Sequence, residues 1–108
     1  MPTIDLTAAD FQHAVTQDGI TLVDFWADWC GPCKAIKPKF EKFVEQMGDR
    51  VSVAHIDVDS DPRTSLYSVR SVPTFVFLKD GKEVERVVGG NASMDKFVKI
   101  VENYETQD

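Results

Sequence analysis

The sequence predicts an α/β fold in which a mixed β-sheet carries helices on both faces. Apolar runs of strand length alternate with segments of helical spacing, and an Asp-Gly pair joins the last two predicted strands. The 108 residues suit a single domain, with 43% apolar and 28% charged residues as in ordinary soluble proteins. We therefore expect residues 1–108 to form one domain.

The first half of the chain predicts a helix, a strand and a longer helix. A capping box at 7–10 begins the first helix, and the apolar run at 20–26, bounded by Gly19, fits a buried strand. Pro38 lies inside the longer helix and predicts a kink. That helix is predicted because apolar residues recur at helical spacing until Gly48: Ile36, Phe40, Phe43, Val44 and Met47.

The second half predicts three strands and two helices. The run at 51–58 predicts a strand, and 62–67 a short helix. Residues 74–78 and 84–88 are predicted to pair as a hairpin, because Asp-Gly between them favours a tight turn. A final amphipathic helix is predicted from Met94, Phe97, Val98, Val101 and Tyr104.

Both cysteines of the chain stand in one short segment, Trp29-Cys30-Gly31-Pro32-Cys33. A thiol at the start of a helix lies at its positive end, where the thiolate is favoured. Cys30 precedes the helix and is the predicted attacking thiol, whereas Cys33 is expected to be less exposed and to resolve the mixed disulfide. Gly31 and Pro32 suit a tight loop at a helix start. The segment therefore predicts a redox switch.

Composition argues against several other functions. The net charge of −6 leaves no basic patch for nucleic acid. No apolar stretch approaches the ~20 residues that cross a bilayer, and the N-terminus shows no signal peptide, so a cytoplasmic location is expected. Half of a zinc site is the alternative for the cysteines, but His13 and His55 lack the matching spacing. The aspartates at 57–61 precede Pro62 instead of the glycine of a calcium loop. We expect no bound metal.

Asp24 is a second candidate because it interrupts the apolar strand at 20–26. A strand covered on both faces would bury this carboxylate and raise its pKa, since desolvation disfavours the charged form. An acid below the dithiol could take a proton from Cys33, or return one, as the mixed disulfide resolves. The alternative is a surface-pointing aspartate on a half-exposed strand.

Residues 24–34, Asp-Phe-Trp-Ala-Asp-Trp-Cys-Gly-Pro-Cys-Lys, resemble the active-site segment of the thioredoxin family. The resemblance continues through Pro38, the Val-Pro-Thr-Phe segment at 72–75, Gly81 and Gly89, and so covers nearly the whole chain. It implies a thioredoxin fold with a central five-stranded mixed sheet flanked by four helices. It further implies a monomeric protein-disulfide reductase with no bound cofactor except its own Cys30–Cys33 disulfide, re-reduced by the flavoprotein thioredoxin reductase.

The resemblance also implies a substrate-binding groove. Pro73 would be cis and face the dithiol, and the backbone before it would pair with an extended substrate segment. A trans proline and a simple turn at the paired glycines are the alternatives. The groove residues would be Trp29, Val72, Pro73, Gly89 and Gly90.

Two further features bear on redox tuning. Gly31-Pro32 resembles the reducing branch of the family, because related oxidases and isomerases usually carry a histidine between the cysteines. Many family members have a lysine on the third strand beside the aspartate, where this chain has His55. His55 could hydrogen-bond Asp24 and titrate with it near neutral pH, or it could pack on the core with its polar tip in solvent. A disulfide oxidase or isomerase, and a binding module with incidental cysteines, remain alternative functions.

Overall fold

The computed structural model describes residues 3–5, 19–61, 64 and 67–105, with only the backbone at 3–5. Five strands form one sheet: β1 (Thr3–Asp5), β2 (Ile20–Trp26), β3 (Val51–Asp57), β4 (Thr74–Lys79) and β5 (Lys82–Val88). The described residues form two α-helices, α1 (Gly31–Met47) and α2 (Met94–Glu105), with a 3₁₀ turn at Gly48–Arg50. The strand order is β1-β3-β2-β4-β5.

The described part of the chain thus contains two α-helices, whereas the family resemblance implies four. The helix predicted after the capping box at 7–10 lies outside the described residues. Most of the helix predicted at 62–67 does too, and its described members, Thr64 and Tyr67, are in 3₁₀ conformation. α1 includes Pro38 without interruption, so this proline does not end the helix.

The sheet is mixed because its central strand, β2, runs parallel to β3 and antiparallel to β4. Parallel pairing places the carboxyl ends of β2 and β3 at the same edge, with Trp26 opposite Asp57. The loops that follow these two strands therefore lie side by side. This arrangement brings the segment before the cysteines close to the acidic segment at 57–61.

Both faces of the sheet bury apolar side chains, and the two described α-helices pack on one of them. On one face an aromatic cluster joins the helices to the sheet, and Phe97 has ring centroids 4.9–6.3 Å from those of Phe40, Phe43, Phe75 and Phe77. The other face buries Val23, Phe25, Ala54, Ile56, Val76 and Leu78. Because the side chains of a strand alternate between faces, β2 and β4 contribute to both clusters.

The predicted hairpin is confirmed. Asp80 and Gly81 both have positive φ, 51° and 87°, as a two-residue turn that matches the twist of a hairpin requires. The strands extend closer to the turn than predicted, to Lys79 and from Lys82. The Gly19 N–H donates to Asp80 Oδ1 at 2.7 Å, and the Asp80 N–H donates to the Gly19 carbonyl at 2.9 Å. These bonds join the turn to the start of the central strand.

Candidate active site

The two cysteines form a disulfide at the start of α1, with their Cα atoms 5.3 Å apart. Cys30 is the N-cap of the helix, and Pro32 lies in its first turn, where a missing N–H costs nothing. The Cys33 N–H donates to Cys30 Sγ at 3.1 Å. A backbone donor and the positive end of the helix therefore both point at one sulfur, an arrangement that favours a thiolate there.

The predicted order of exposure for the cysteines is wrong. Cys30 is 3% exposed and Cys33 is 9% exposed. Cys30 is covered because it packs in a small cluster with Trp26, Val58 and Val72, whereas Cys33 also borders a cavity of about 710 Å³. A cysteine at a loop end can thus be more enclosed, as a residue, than one inside the helix.

The Val72–Pro73 peptide bond is cis, as the resemblance implies. Val72 packs against the cysteine cluster, so this segment lies beside the disulfide. The Pro73 carbonyl accepts a hydrogen bond of 2.9 Å from the Gly89 N–H, and Gly89 has φ +104°, a conformation that favours glycine. The segment after β5 is thereby tied to the proline segment before β4.

Trp29, one of the expected groove residues, is 69% exposed. Its indole Nε1–H donates to Asp59 Oδ2 at 2.6 Å. The Asp59 N–H in turn donates a hydrogen bond of 2.9 Å to Asp57 Oδ1, which restrains the backbone at Asp59. Sequence reasoning did not single out Asp59. The signal that points to it is the parallel pairing of β2 and β3, which places the loops at 27–30 and 58–61 together.

Asp24 and His55 are opposite each other on β2 and β3, and their side chains meet. His55 Nδ1 lies 3.0 Å from Asp24 Oδ2, so that a proton on Nδ1 is donated to the carboxylate. The Phe40 ring contacts the imidazole edge-on, with a centroid separation of 5.9 Å. The structure therefore favours the hydrogen-bonded arrangement over a histidine whose polar tip is solvated.

Asp24 is mostly but not completely buried, since 14% of its side chain is exposed, against 27% for His55. The cavity of about 710 Å³ explains the residual exposure, because Asp24, His55 and Cys33 all line it. The carboxylate thus shares a mostly apolar space with the predicted resolving cysteine. The cavity is also lined by charged side chains spread along α1: Lys34, Lys37, Glu41 and Glu45.

The described residues contain neither a cluster of metal ligands nor a candidate membrane span. No group of three or more histidine, cysteine, aspartate or glutamate side chains there is arranged to hold a metal ion. Among the same residues, no helix combines the length and the apolar character that a membrane span requires.

A disulfide between cysteines separated by two intervening residues, at the start of a helix and beside a cis-proline, defines a thiol–disulfide oxidoreductase. The family model for thioredoxin matches residues 2–103. This chain belongs to the thioredoxin family.

Individual relatives agree with this assignment. Thioredoxin from Alicyclobacillus acidocaldarius is 44% identical over 88 residues, which cover 81% of this chain and 84% of the relative. Thioredoxin from Bacillus subtilis is 49% identical over 77 residues, covering 70% and 74%. Among solved structures, a mutant thioredoxin from Halobacterium salinarum superposes with a TM-score of 0.82 at 36% identity, covering 98% of this chain and 91% of that one. Fasciola hepatica thioredoxin gives a TM-score of 0.80 at 38% identity, covering 96% and 99%.

Proposed function

We propose that this thiol–disulfide oxidoreductase acts as a reductant of disulfide bonds in other proteins, with Cys30 as nucleophile and Cys33 as resolving thiol. The observation that carries the assignment is the hydrogen bond of 3.1 Å from the Cys33 N–H to Cys30 Sγ at the start of α1. It stabilises negative charge on Cys30, and the thiolate is the attacking species in disulfide exchange.

The reaction consists of two exchanges. The Cys30 thiolate attacks one sulfur of the substrate disulfide, so that a mixed disulfide forms while the substrate S–S bond breaks and its second sulfur leaves as a thiolate. Cys33 then loses its proton and attacks Cys30 Sγ, which breaks the mixed disulfide and releases the other substrate sulfur. Two electrons have passed to the substrate, whose two sulfurs take up protons from the solvent, and the proton lost by Cys33 is taken by a base of the protein. The Cys30–Cys33 disulfide of the structure is the product state of this cycle.

We assign Asp24 as the group that accepts the proton from Cys33, and His55 as the residue that positions the Asp24 carboxylate. The support is that Asp24 and Cys33 line the same cavity and that His55 Nδ1 lies 3.0 Å from Asp24 Oδ2. A carboxylate held in a partly enclosed site can accept the proton as Cys33 attacks, and return it in the reverse reaction.

The substrate groove is proposed to run beside the disulfide, formed by Trp29, Val72, Pro73, Gly89 and Gly90. The exposed indole of Trp29 and the packing of Val72 against the cysteines support this assignment. The backbone before Pro73 would pair with an extended substrate segment, because strand addition supplies affinity through main-chain hydrogen bonds that tolerate many sequences.

The remaining assignments rest on family membership. We propose that thioredoxin reductase returns electrons to the disulfide, that Gly31 and Pro32 set a reducing potential, and that the protein is a cytoplasmic monomer. Residues 1–108 are proposed to form one domain, an assignment that the family match over 2–103 supports.

The roles of the two cysteines are tested by trapping. Cys33→Ser should still attack a disulfide-containing protein, so a mixed disulfide through Cys30 should accumulate and be visible by mass spectrometry. Cys30→Ser should form no such adduct, and neither variant should turn over. An adduct with Cys30→Ser and none with Cys33→Ser would reverse the two roles.

The direction of electron flow is tested by the reduction potential of Cys30/Cys33. Equilibration in redox buffers should give a potential well below the glutathione pool. Reducing and oxidising members of this fold differ by roughly 150 mV, or ~7 kcal/mol at about 30 mV per 1.4 kcal/mol, so the measurement separates them clearly. A potential well above the glutathione pool would make the protein an oxidase or isomerase.

A further inference from the structure

The backbone at Gly90 lies directly against the proline between the two cysteines. A Cβ added to Gly90 would lie 2.6 Å from Pro32 Cβ, 3.4 Å from its Cα and 3.7 Å from its Cγ. Real Cβ atoms essentially never approach another heavy atom closer than 3.0 Å. The opposing atom belongs to a closed ring next to the main chain, so no change of rotamer relieves the contact.

Gly90 differs in this respect from the glycine before it. Gly89 requires its positive φ of 104°, but a Cβ there would meet nothing within 4 Å. Gly90 has no such φ requirement and is limited by space alone. The same open surroundings apply at Gly19, Gly31 and Gly48. Gly90 is therefore a glycine because a neighbouring backbone approaches closely, and that neighbour is the active-site turn.

The segment that carries Gly90 has a second contact near the dithiol. The Gly89 N–H donates to the Pro73 carbonyl at 2.9 Å, and this bond restrains the backbone next to Gly90. The segment therefore contacts both Pro73 and Pro32.

We propose that Gly90 is a positioning residue for the dithiol: its missing side chain lets the segment after β5 lie on Pro32 and thereby helps to set the equilibrium between disulfide and dithiol. This inference rests on the proposed redox role of Cys30 and Cys33. It assigns Gly90 a function that does not require contact with substrate.

The direction of the effect follows from the covalent connection. In the disulfide form both ends of the Gly31-Pro32 turn are tied by the Cys30–Cys33 bond. In the dithiol form that bond is open, and Pro32 has more freedom to move aside. A methyl group at Gly90 should therefore disfavour the disulfide more than the dithiol.

The first experiment compares Gly90→Ala with the unchanged protein in mixtures of reduced and oxidised dithiothreitol. In this equilibrium the protein dithiol gives two electrons and two protons to oxidised dithiothreitol as the Cys30–Cys33 bond forms. We expect the equilibrium constant for disulfide formation to fall about tenfold, which is a potential higher by about 30 mV. The fractions are measured by alkylation of free thiols and mass spectrometry.

Gly48→Ala is the matched control. Gly48 lies at the far end of α1 with open space around its Cβ position, and its φ of 57° makes alanine there a strain on the backbone without a contact to Pro32. This change should lower the midpoint of urea unfolding and leave the potential unchanged. A shift as large as that of Gly90→Ala would mean that loss of stability alone moves the potential, and the inference would be overturned.

The second experiment places Gly90→Ala in two Pro32 backgrounds. Pro32→Gly removes the Cβ that the added methyl would meet, whereas Pro32→Ala keeps it. Each Pro32 change alters the potential by itself, so the effect of Gly90→Ala is taken as a difference within each background. We expect the difference to disappear with Pro32→Gly and to persist with Pro32→Ala. An equal shift in both backgrounds would overturn the inference.

The remaining outcomes are also decisive. If Gly90→Ala folds only together with Pro32→Gly, the rescue of folding shows that the added methyl group meets Pro32, and this result supports the inference. If neither variant folds, Gly90 is needed for a reason other than Pro32, and the inference fails. The proposed function fails separately, if the unchanged protein does not reduce protein disulfides.

Discussion

The first turn of α1 and the rest of that helix have very different surroundings. The first turn carries Cys33, and it directly follows the N-cap Cys30 and the exposed Trp29. The later turns bury Phe40 and Phe43 in the aromatic cluster around Phe97. One helix therefore joins a reactive end, where sulfur needs access, to an end whose side chains are enclosed.

This difference shows how the fold separates stability from activity. The apolar contacts of the later turns bury large rings, and burial of apolar surface is the main favourable term in folding. The first turn has a smaller set of contacts: the cluster around the cysteines, the Cys33 N–H to Cys30 Sγ bond and the approach of Gly90 to Pro32. Changes in the aromatic cluster should therefore act on unfolding, and changes around the first turn on rate or potential.

The largest expected effect is on stability, from Phe97→Ala. Phe97 is fully buried and contacts four other phenylalanine rings, so its truncation should cost about 3–5 kcal/mol of unfolding free energy. The measurement is urea unfolding, with the potential of the folded protein expected to stay the same. Lys96→Ala, an exposed change on the same helix, should stay within about 0.5 kcal/mol. A changed potential in Phe97→Ala would show that the two ends are coupled.

Asp24→Asn should slow the chemistry and leave the fold intact. The amide keeps the size of the side chain but cannot accept the Cys33 proton as a carboxylate does, and general acid–base catalysis is worth about a hundredfold at the low end. The rate of mixed-disulfide resolution is measured between pH 6 and 9, with the nearby tryptophans as the optical signal. Unchanged rates across this range would remove Asp24 from the mechanism.

His55→Lys isolates the contribution of the histidine to the same site. A flexible ammonium takes the place of the imidazole that contacts Asp24 and Phe40. Because the contact to the carboxylate changes, the pH profile of disulfide reduction should shift. An identical pH profile would reduce His55 to a packing residue against Phe40.

Asp59→Ala should weaken substrate binding by a smaller amount. It removes the 2.6 Å bond that orients the Trp29 indole, and a side-chain hydrogen bond is worth about 0.5–1.5 kcal/mol. We expect KM for a protein disulfide to rise between about twofold and tenfold at constant kcat. Asp59→Asn keeps an acceptor oxygen and should recover most of the loss. A lower kcat with unchanged KM would contradict a positioning role.

The smallest expected effect is on the free energy of unfolding and comes from an ion pair beyond the far end of α1. Arg50 pairs there with Glu105 of α2 through two hydrogen bonds of 2.6 Å and 3.0 Å. These bonds hold the pKa of Glu105 below its ordinary value of 4.5. The ion pair therefore stabilises the folded protein at pH values above the ordinary pKa of glutamate. This stabilisation is lost as the pH falls through the lowered pKa that Glu105 has in the folded protein.

Glu105→Gln tests this sign through urea unfolding at several pH values. The variant should be slightly less stable at pH 7 and should converge with the unchanged protein in acid. The difference should also shrink with added salt, because the pair is exposed. A difference that grew as the pH fell would contradict the assigned direction.

Much of the fold could be predicted because the relevant patterns are local. The apolar run at 20–26 is the strand β2, and the helix that was predicted to end at Gly48 ends at Met47. The Asp-Gly turn adopts the positive φ values that its residues favour. The residues at 6–18 lie outside the described part, so the first predicted helix stays a prediction.

The candidate site was predictable in its parts but not in its contacts. The spacing of Cys30 and Cys33 within one segment by itself determined that a disulfide at a helix start was possible, since three positions along one turn bring the sulfurs together. Only the tertiary structure decided which sulfur is more enclosed, that His55 meets Asp24 31 positions away, and that Asp59 holds Trp29 30 positions away. Periodicity reports which face of an element is apolar. The distance between residues on different elements is set by strand pairing and packing, and these exist only in the folded chain.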